Sequence, residues 1–174
     1  MITKANNLHE KVAERFKEVF DGRKDWTLLV DKACGGHQRI PLFMSDKKSR
    51  ESEYCNVDLA LLNKDVVRTI VEIEESNVKP TQVCGKFLTS ALCRYYIHET
   101  DNGLQKNEMA HSVTFIQIVQ AGNIVKGRSR KPEQWEKLET SIQNILPLKG
   151  SNIREYKLFT TNELDRLTTY LKNS

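Results

Sequence analysis

Long apolar runs are missing from this sequence, and none approaches the roughly 18–20 residues needed to cross a bilayer. A secretory leader is missing too, because residues 1–16 (MITKANNLHEKVAERF) have neither an apolar core nor a small-residue cleavage site. Both absences point to a cytoplasmic protein with no membrane partner. Cysteine is scarce: Cys34, Cys55, Cys84 and Cys93 form no C-x-x-C pair and have no histidine at zinc spacing. That spacing argues against a structural zinc site and favours buried free thiols, with Cys84 and Cys93 too far apart along one expected helix to bridge. His9, His37, His98 and His111 share no spacing, so no histidine-based catalytic site is visible and each reads as structural or exposed. Gly35-Gly36 is followed by neither G-K-[ST] nor G-x-G-x-x-G, so it is no phosphate loop. Internal repeats and low-complexity tracts are absent as well.

What is present suits one globular domain: 174 residues, 39% hydrophobic and 29% charged. The net charge of +4 permits a nucleic-acid partner without establishing one.

Leu8, Val12, Phe16, Val19 and Phe20 recur at helical spacing, which predicts an amphipathic helix over residues 7–20 stopped at Asp21-Gly22. Residues 26–31 read as a strand, and residues 37–53 as a long polar connection carrying Lys47, Lys48 and Arg50. Residues 54–62 (YCNVDLALL) and 66–74 (VVRTIVEIE) read as an antiparallel hairpin. Pro80 opens a helix to about residue 99 with an apolar stripe of Val83, Phe87, Leu88, Ala91, Leu92 and Tyr95. Lys79, Gln82, Lys86, Ser90 and Arg94 make a polar stripe at the same spacing. A strand over 112–120, a basic loop over 121–132, a helix from Pro132 and a strand over 153–159 follow. Thr161 or Asn162 caps a final helix. This order predicts an α/β fold, a mixed central sheet flanked by helices.

Three carboxylates break otherwise apolar strands. Asp58 lies between Val57 and Leu59, and Glu72 and Glu74 alternate with Val71 and Ile73, so both glutamates share a face. With a three-residue turn at 63–65 and Leu62 opposite Val66, Asp58 opposes Ile70 and lies diagonal to Glu72, about 7–8 Å away. A two-residue turn would put Asp58 on the other face. Carboxylates gathered in this way repel one another unless a cation lies between them, and hard divalent cations take oxygen ligands.

An Asp on one strand, then an acidic-x-(usually Lys) motif ending the next, followed directly by a helix, resembles the PD-(D/E)XK nuclease superfamily. The helix, three strands, helix, strand order over residues 7–120 resembles its restriction-endonuclease-like αβββαβ core. The resemblance implies that Asp58 and Glu72, joined by the carbonyl of Ile73 and by Glu74, hold Mg²⁺, with Mn²⁺ the alternative. The motif lysine is replaced by Glu74. Either Glu74 holds a second ion or orients the water, or a lysine from the next helix reaches in, Lys86 ahead of Lys79. The catalytic set implied is thus Asp58, Glu72, Glu74 and Lys86. Lys79, Gln82, Lys126, Arg128, Arg130 and Lys131 are the expected DNA contacts. Glu10 and Glu14 read as ordinary helix-surface charge. A chain of this length resembles a small type II restriction endonuclease cutting DNA as a homodimer. The missing lysine keeps open a catalytically inactive DNA-binding module on the same fold, and a third reading is an unrelated α/β interaction domain.

Overall fold

The computed structural model describes residues 7–75, 78–120 and 131–174. Helix α1 (Leu8–Phe20) starts where the Asn7 side chain accepts the Glu10 N–H at 2.8 Å, a side-chain cap for one of the helix's unpaired donors. It buries Leu8, Val12, Ala13, Phe16, Val19 and Phe20, and the chain turns away at Gly22, whose φ is +74°. Strands β1 (Trp26–Val30), β4 (Leu59–Asn63) and β5 (Val66–Glu74) pair antiparallel in the order β1-β4-β5. Helix α2 (Pro80–Ala91) then crosses over to β7 (Gly103–Val119), whose second half lies parallel to β5, with β8 (Ile153–Thr160) parallel on its far side. The first half of β7 pairs instead with β6 (Tyr95–Thr100), which continues to β2 (Pro41–Phe43) and β3 (Glu53–Asn56). Helix α3 (Lys131–Ile145) precedes β8, and a 3-10 turn (Thr161–Glu163) leads into α4 (Leu164–Lys172).

The expected mixed sheet between helices is thus the architecture observed, with four differences. Residues 54–62 are two strands, because the chain leaves the sheet at Val57-Asp58. Residues 37–53 contain β2, which Leu42 and Phe43 bury against β6. Helix α2 stops at Ala91 rather than near residue 99, and β6 takes the remainder. Strand β7 begins nine residues before the expected 112, since Gly103 turns the chain straight back along β6. Of the apolar stripe on α2, Val83, Phe87 and Ala91 are buried, whereas Leu88 and Leu92 are exposed.

Alternation along the strands splits the core in two. Leu59, Leu61, Val71, Ile73, Ile116 and Ile118 pack with α1 and α4. Ala60, Leu62, Ile70, Phe115 and Tyr156 pack with α2 and α3 through Val83, Phe87, Trp135 and Ile142. Phe87 meets Phe115 and Tyr156 edge-on, with centroids 5.8 and 5.5 Å apart, and this seats α2 over the sheet. Glu72 and Glu74 share the parity of Ile70, so both lie on the α2 side.

The β4–β5 hairpin turns on two residues, Lys64 and Asp65, both with positive φ (49° and 63°), the geometry of a type I′ turn. The register then shifts: Leu62 opposes Val67 but Leu61 opposes Thr69, so Arg68 is an extra residue in β5. This bulge moves the pairing by one and restores the face that the short turn alone would have inverted. Leu59 opposes Val71 in the last pair of the ladder, so Asp58, one residue beyond it, keeps the parity of Ala60 and comes to the end of β5 on the side of Glu72.

Candidate metal centre

Asp58 sits where β4 leaves the sheet. Its N–H donates to the Val71 carbonyl at 3.1 Å, and its carbonyl accepts from Asp31 N–H at 3.0 Å. The side chain takes over the next rung: Ile73 N–H donates to Asp58 Oδ2 at 2.6 Å. Backbone and side chain together fix the carboxylate at the end of β5 and leave Oδ1 outside that ladder. Burial raises the Asp58 carboxyl above its usual range, against the pull of the Ile73 N–H, Lys86 and His9.

Glu72 is 2% exposed. Lys86, nearly two turns into α2, places Nζ 2.8 Å from Glu72 Oε2 and 2.7 Å from Glu74 Oε1, bridging the two glutamates. Burial pushes Glu72 up to about 8 in spite of this lysine, and the charge of Asp58 adds to the rise. Burial would lower Lys86, but the two glutamates outweigh it and hold the ammonium protonated. Gln117 stands beside Glu72 in the parallel β5–β7 register and is wholly buried; its Oε1 accepts the Tyr156 hydroxyl at 2.7 Å. Its Nε2 has no hydrogen-bond partner among the described residues.

Helix α1 contributes His9 from its first turn. Nδ1 lies 3.1 Å from Glu75 Oε1 and Nε2 lies 3.8 Å from Asp58 Oδ1. Glu75 Oε1 also accepts the N–H groups of Leu8, at 2.6 Å, and His9, at 3.3 Å, tying the helix start to the end of β5. These bonds hold the Glu75 carboxyl below its usual range, although burial opposes them. The loop after β1 adds Asp31 and Cys34, whose ligand atoms lie within 4.8 Å of each other and of Asp58. Cys34 is held as a neutral thiol, pushed up by burial and by Asp58 and Asp31.

The carboxylates of Asp58, Glu72 and Glu74 thus occupy adjacent strand ends, but they are not the close trio. Among the described residues the group within 4.8 Å is Asp31, Cys34 and Asp58, whereas Lys86 draws Glu72 and Glu74 to itself. The Lys86 ammonium offsets the charge of both glutamates and so holds them together. Four carboxyl groups, those of Asp31, Asp58, Glu72 and Glu74, thus gather near Lys86 and His9 at a partly buried site. Their oxygen donors suit a hard divalent cation, and Asp58 and Glu72, both raised by burial, are the groups that it would stabilise as anions.

Sequence reasoning missed His9, Asp31, Cys34 and Glu75. The Asn7 cap put His9 in the first helical turn, and Gly35-Gly36 marked a tight approach. A Cβ on Gly36 would fall 1.9 Å from the Val30 carbonyl oxygen. Lys79 and Gln82 are exposed at the start of α2, where Lys79 N–H donates to Gln82 Oε1 at 3.0 Å. Ser90, from the same polar stripe, is buried instead. Lys48 pairs with Glu99 at 2.6 Å. Lys126, Arg128 and Arg130 lie outside the described residues; Lys131 opens α3, and its side chain lies outside them too. No helix among the described residues is long and apolar enough to cross a membrane.

No family model matches this chain, and searches of curated proteins and of solved structures find no match either.

Proposed function

We propose that the protein is a divalent-cation-dependent nuclease that hydrolyses phosphodiester bonds in DNA, of the PD-(D/E)XK type. The observation that carries this reading is the Lys86 bridge. An ammonium from the crossover helix lies between the two glutamates at the end of β5, where Ile73 N–H also holds the Asp58 carboxylate. It supplies from α2 the cation that the motif lacks at Glu74. The element order supports the same reading once β2, β3 and β6 are set aside as additions: α1, the antiparallel β1, β4 and β5, the α2 crossover and the parallel half of β7 then run in the order of the family's core.

In this reading Asp58, Glu72, Glu74 and the Ile73 carbonyl would hold Mg²⁺ or Mn²⁺. Such an ion, when bound, makes a hydroxide-like nucleophile from water and stabilises negative charge on phosphoryl oxygens. Lys86 donates hydrogen bonds toward the attacked phosphate and offsets the repulsion between the two glutamates it bridges. Ile73 N–H holds Asp58 in place, and His9, anchored on Glu75, closes the α1 side of the site. Lys79, Gln82, Lys126, Arg128, Arg130 and Lys131 bind the DNA backbone, and a homodimer places two such sites on one duplex.

Supercoiled plasmid incubated with Mg²⁺, Mn²⁺ or EDTA tests the proposal. Nicked or linear DNA only with metal is the expected result. Retarded but intact DNA would leave the inactive binding module. Neither binding nor cleavage would overturn the reading.

A further inference from the structure

At the opposite end of the sheet, a cavity of about 330 Å³ is lined by Arg94, Tyr95, Glu108, His111, Gly150 and Arg154, with Met109, Ser151 and Asn152 completing the wall. His111 lies six residues before Gln117 on β7, on the order of 20 Å of strand from the carboxylates. The two sites do not overlap.

The cavity is held open by bonds that need no ligand. Asn152 Nδ2 donates to the carbonyls of Met109 (3.3 Å) and Ala110 (2.9 Å), fastening the loop before β8 to β7. Arg94 Nη2 donates to the Gly150 carbonyl at 3.1 Å, and Gly150 has a φ of +83°, which a side chain would strain. That bond uses one of the five N–H donors of Arg94. The side chains of Arg154 and His111 have no hydrogen-bond or ion-pair partner among the described residues. Against these donors stands one carboxylate, Glu108, which is paired across the strands with Tyr95 and so shares its face.

Two guanidiniums, an imidazole, an aromatic ring and a single carboxylate around this volume match one ligand class. We infer that the cavity binds a nucleoside monophosphate group. The phosphate is held by Arg94 and Arg154, the base lies against Tyr95, and a hydroxyl or exocyclic amine donates to Glu108. The volume lies at the lower end of the range for small-molecule sites. A nucleoside monophosphate arrives free or as the 5′ end of a strand, and the chemistry recognised is the same.

Calorimetric titration of the full chain in EDTA tests the site apart from any metal-dependent activity. The probes are 5′-dAMP, deoxyadenosine, inorganic phosphate, and a short oligonucleotide with and without a 5′-phosphate. The expected result is saturable dAMP binding, weaker phosphate binding, and none for deoxyadenosine. Arg154→Gln should weaken dAMP about tenfold or more, the scale of a lost charge-assisted pair. His111→Gln should weaken it less, with the melting temperature of both variants unchanged. A phosphorylated oligonucleotide binding more tightly than dAMP, again through Arg154, identifies a strand end; weaker binding identifies the free nucleotide. No saturable dAMP binding, or equal affinity in wild type and Arg154→Gln, would overturn the inference.

Discussion

The two ends of the central sheet hold charge in different ways. At the end of β5, two glutamates share one ammonium, and Glu72 is 2% exposed. At the start of β8, Arg154 and His111 are exposed and unpaired among the described residues, beside a guanidinium tied only to a backbone carbonyl. Burial raises Glu72 to about 8, so the first end carries an electrostatic cost that a bound cation would relieve. The second end is solvated and carries no such cost. On the readings proposed above, the buried charge suits the carboxylate end to chemistry, and the open donors suit the basic end to recognition.

The largest expected effect comes from the element that sets the comparison up. Deleting Arg68 removes the bulge and leaves the two-residue turn, so Asp58 moves to the face opposite Glu72. All metal-dependent cleavage and metal-induced rise in melting temperature should vanish, while dAMP binding at the far end persists. If cleavage survived the deletion, the facing pair would not be the site.

Lys86→Ala comes next. It leaves two glutamates without their shared cation and should slow single-turnover cleavage about 10²–10³-fold, the scale for a lost transition-state donor. Metal-free stability should fall by about 1–3 kcal/mol, less than for a fully buried pair because the Lys86 side chain is 38% exposed. Glu74→Ala keeps the Glu72 pair and should cost less. Equal rates in wild type and Lys86→Ala would remove the lysine from the mechanism.

A smaller effect is the pH slope. Glu72 has a folded pKa of about 8, above its unfolded value of about 4.5, so the folded state binds the extra proton between those values. Its contribution is most favourable below pH 4.5 and is lost as pH rises toward 8. Metal-free protein should therefore lose stability across that window, and Glu72→Gln should flatten the slope when melting is followed from pH 5 to 8. Glu155 and Glu163 run the other way: hydrogen bonds hold them below their usual range against burial, so their contribution is lost only as pH falls below it. An identical slope in Glu72→Gln would place the burial penalty elsewhere.

Arg154→Gln should produce the smallest change at the carboxylate end, with cleavage within about twofold of wild type while nucleotide binding falls. A matching loss of both would merge the two ends into one substrate track.

Much of this contrast was written locally, and some was not. The α1 stripe, β5 and β8 have strong periodic patterns, and each was legible. Strand β6 was not, because Tyr95 follows α2 with no Gly or Pro to announce the break. The first half of β7 is mostly exposed and polar, so no two-residue alternation betrays it. Leu88 and Leu92 looked like core but face outward, since α2 buries a narrower stripe than its composition offers. Asp58, Glu72 and Glu74 stood out as charges within apolar strands. Their relative face depended on a turn length and a bulge, and two departures from the simple register cancelled. His9, Asp31 and Cys34 reach Asp58 across long sequence separations, which no spacing rule encodes.

Single-turnover cleavage of a DNA duplex by wild type and Asp58→Asn, each with saturating Mg²⁺, tests the central claim most directly. Asn at this position still accepts the Ile73 N–H, so the fold and the hairpin register should hold, but one of the ion's charged ligands is gone. The predicted result is metal-dependent cleavage by the wild type and a loss of at least about 10³-fold in the variant, with unchanged DNA binding. Equal rates for the two proteins, or a wild type that never cuts, would contradict the account.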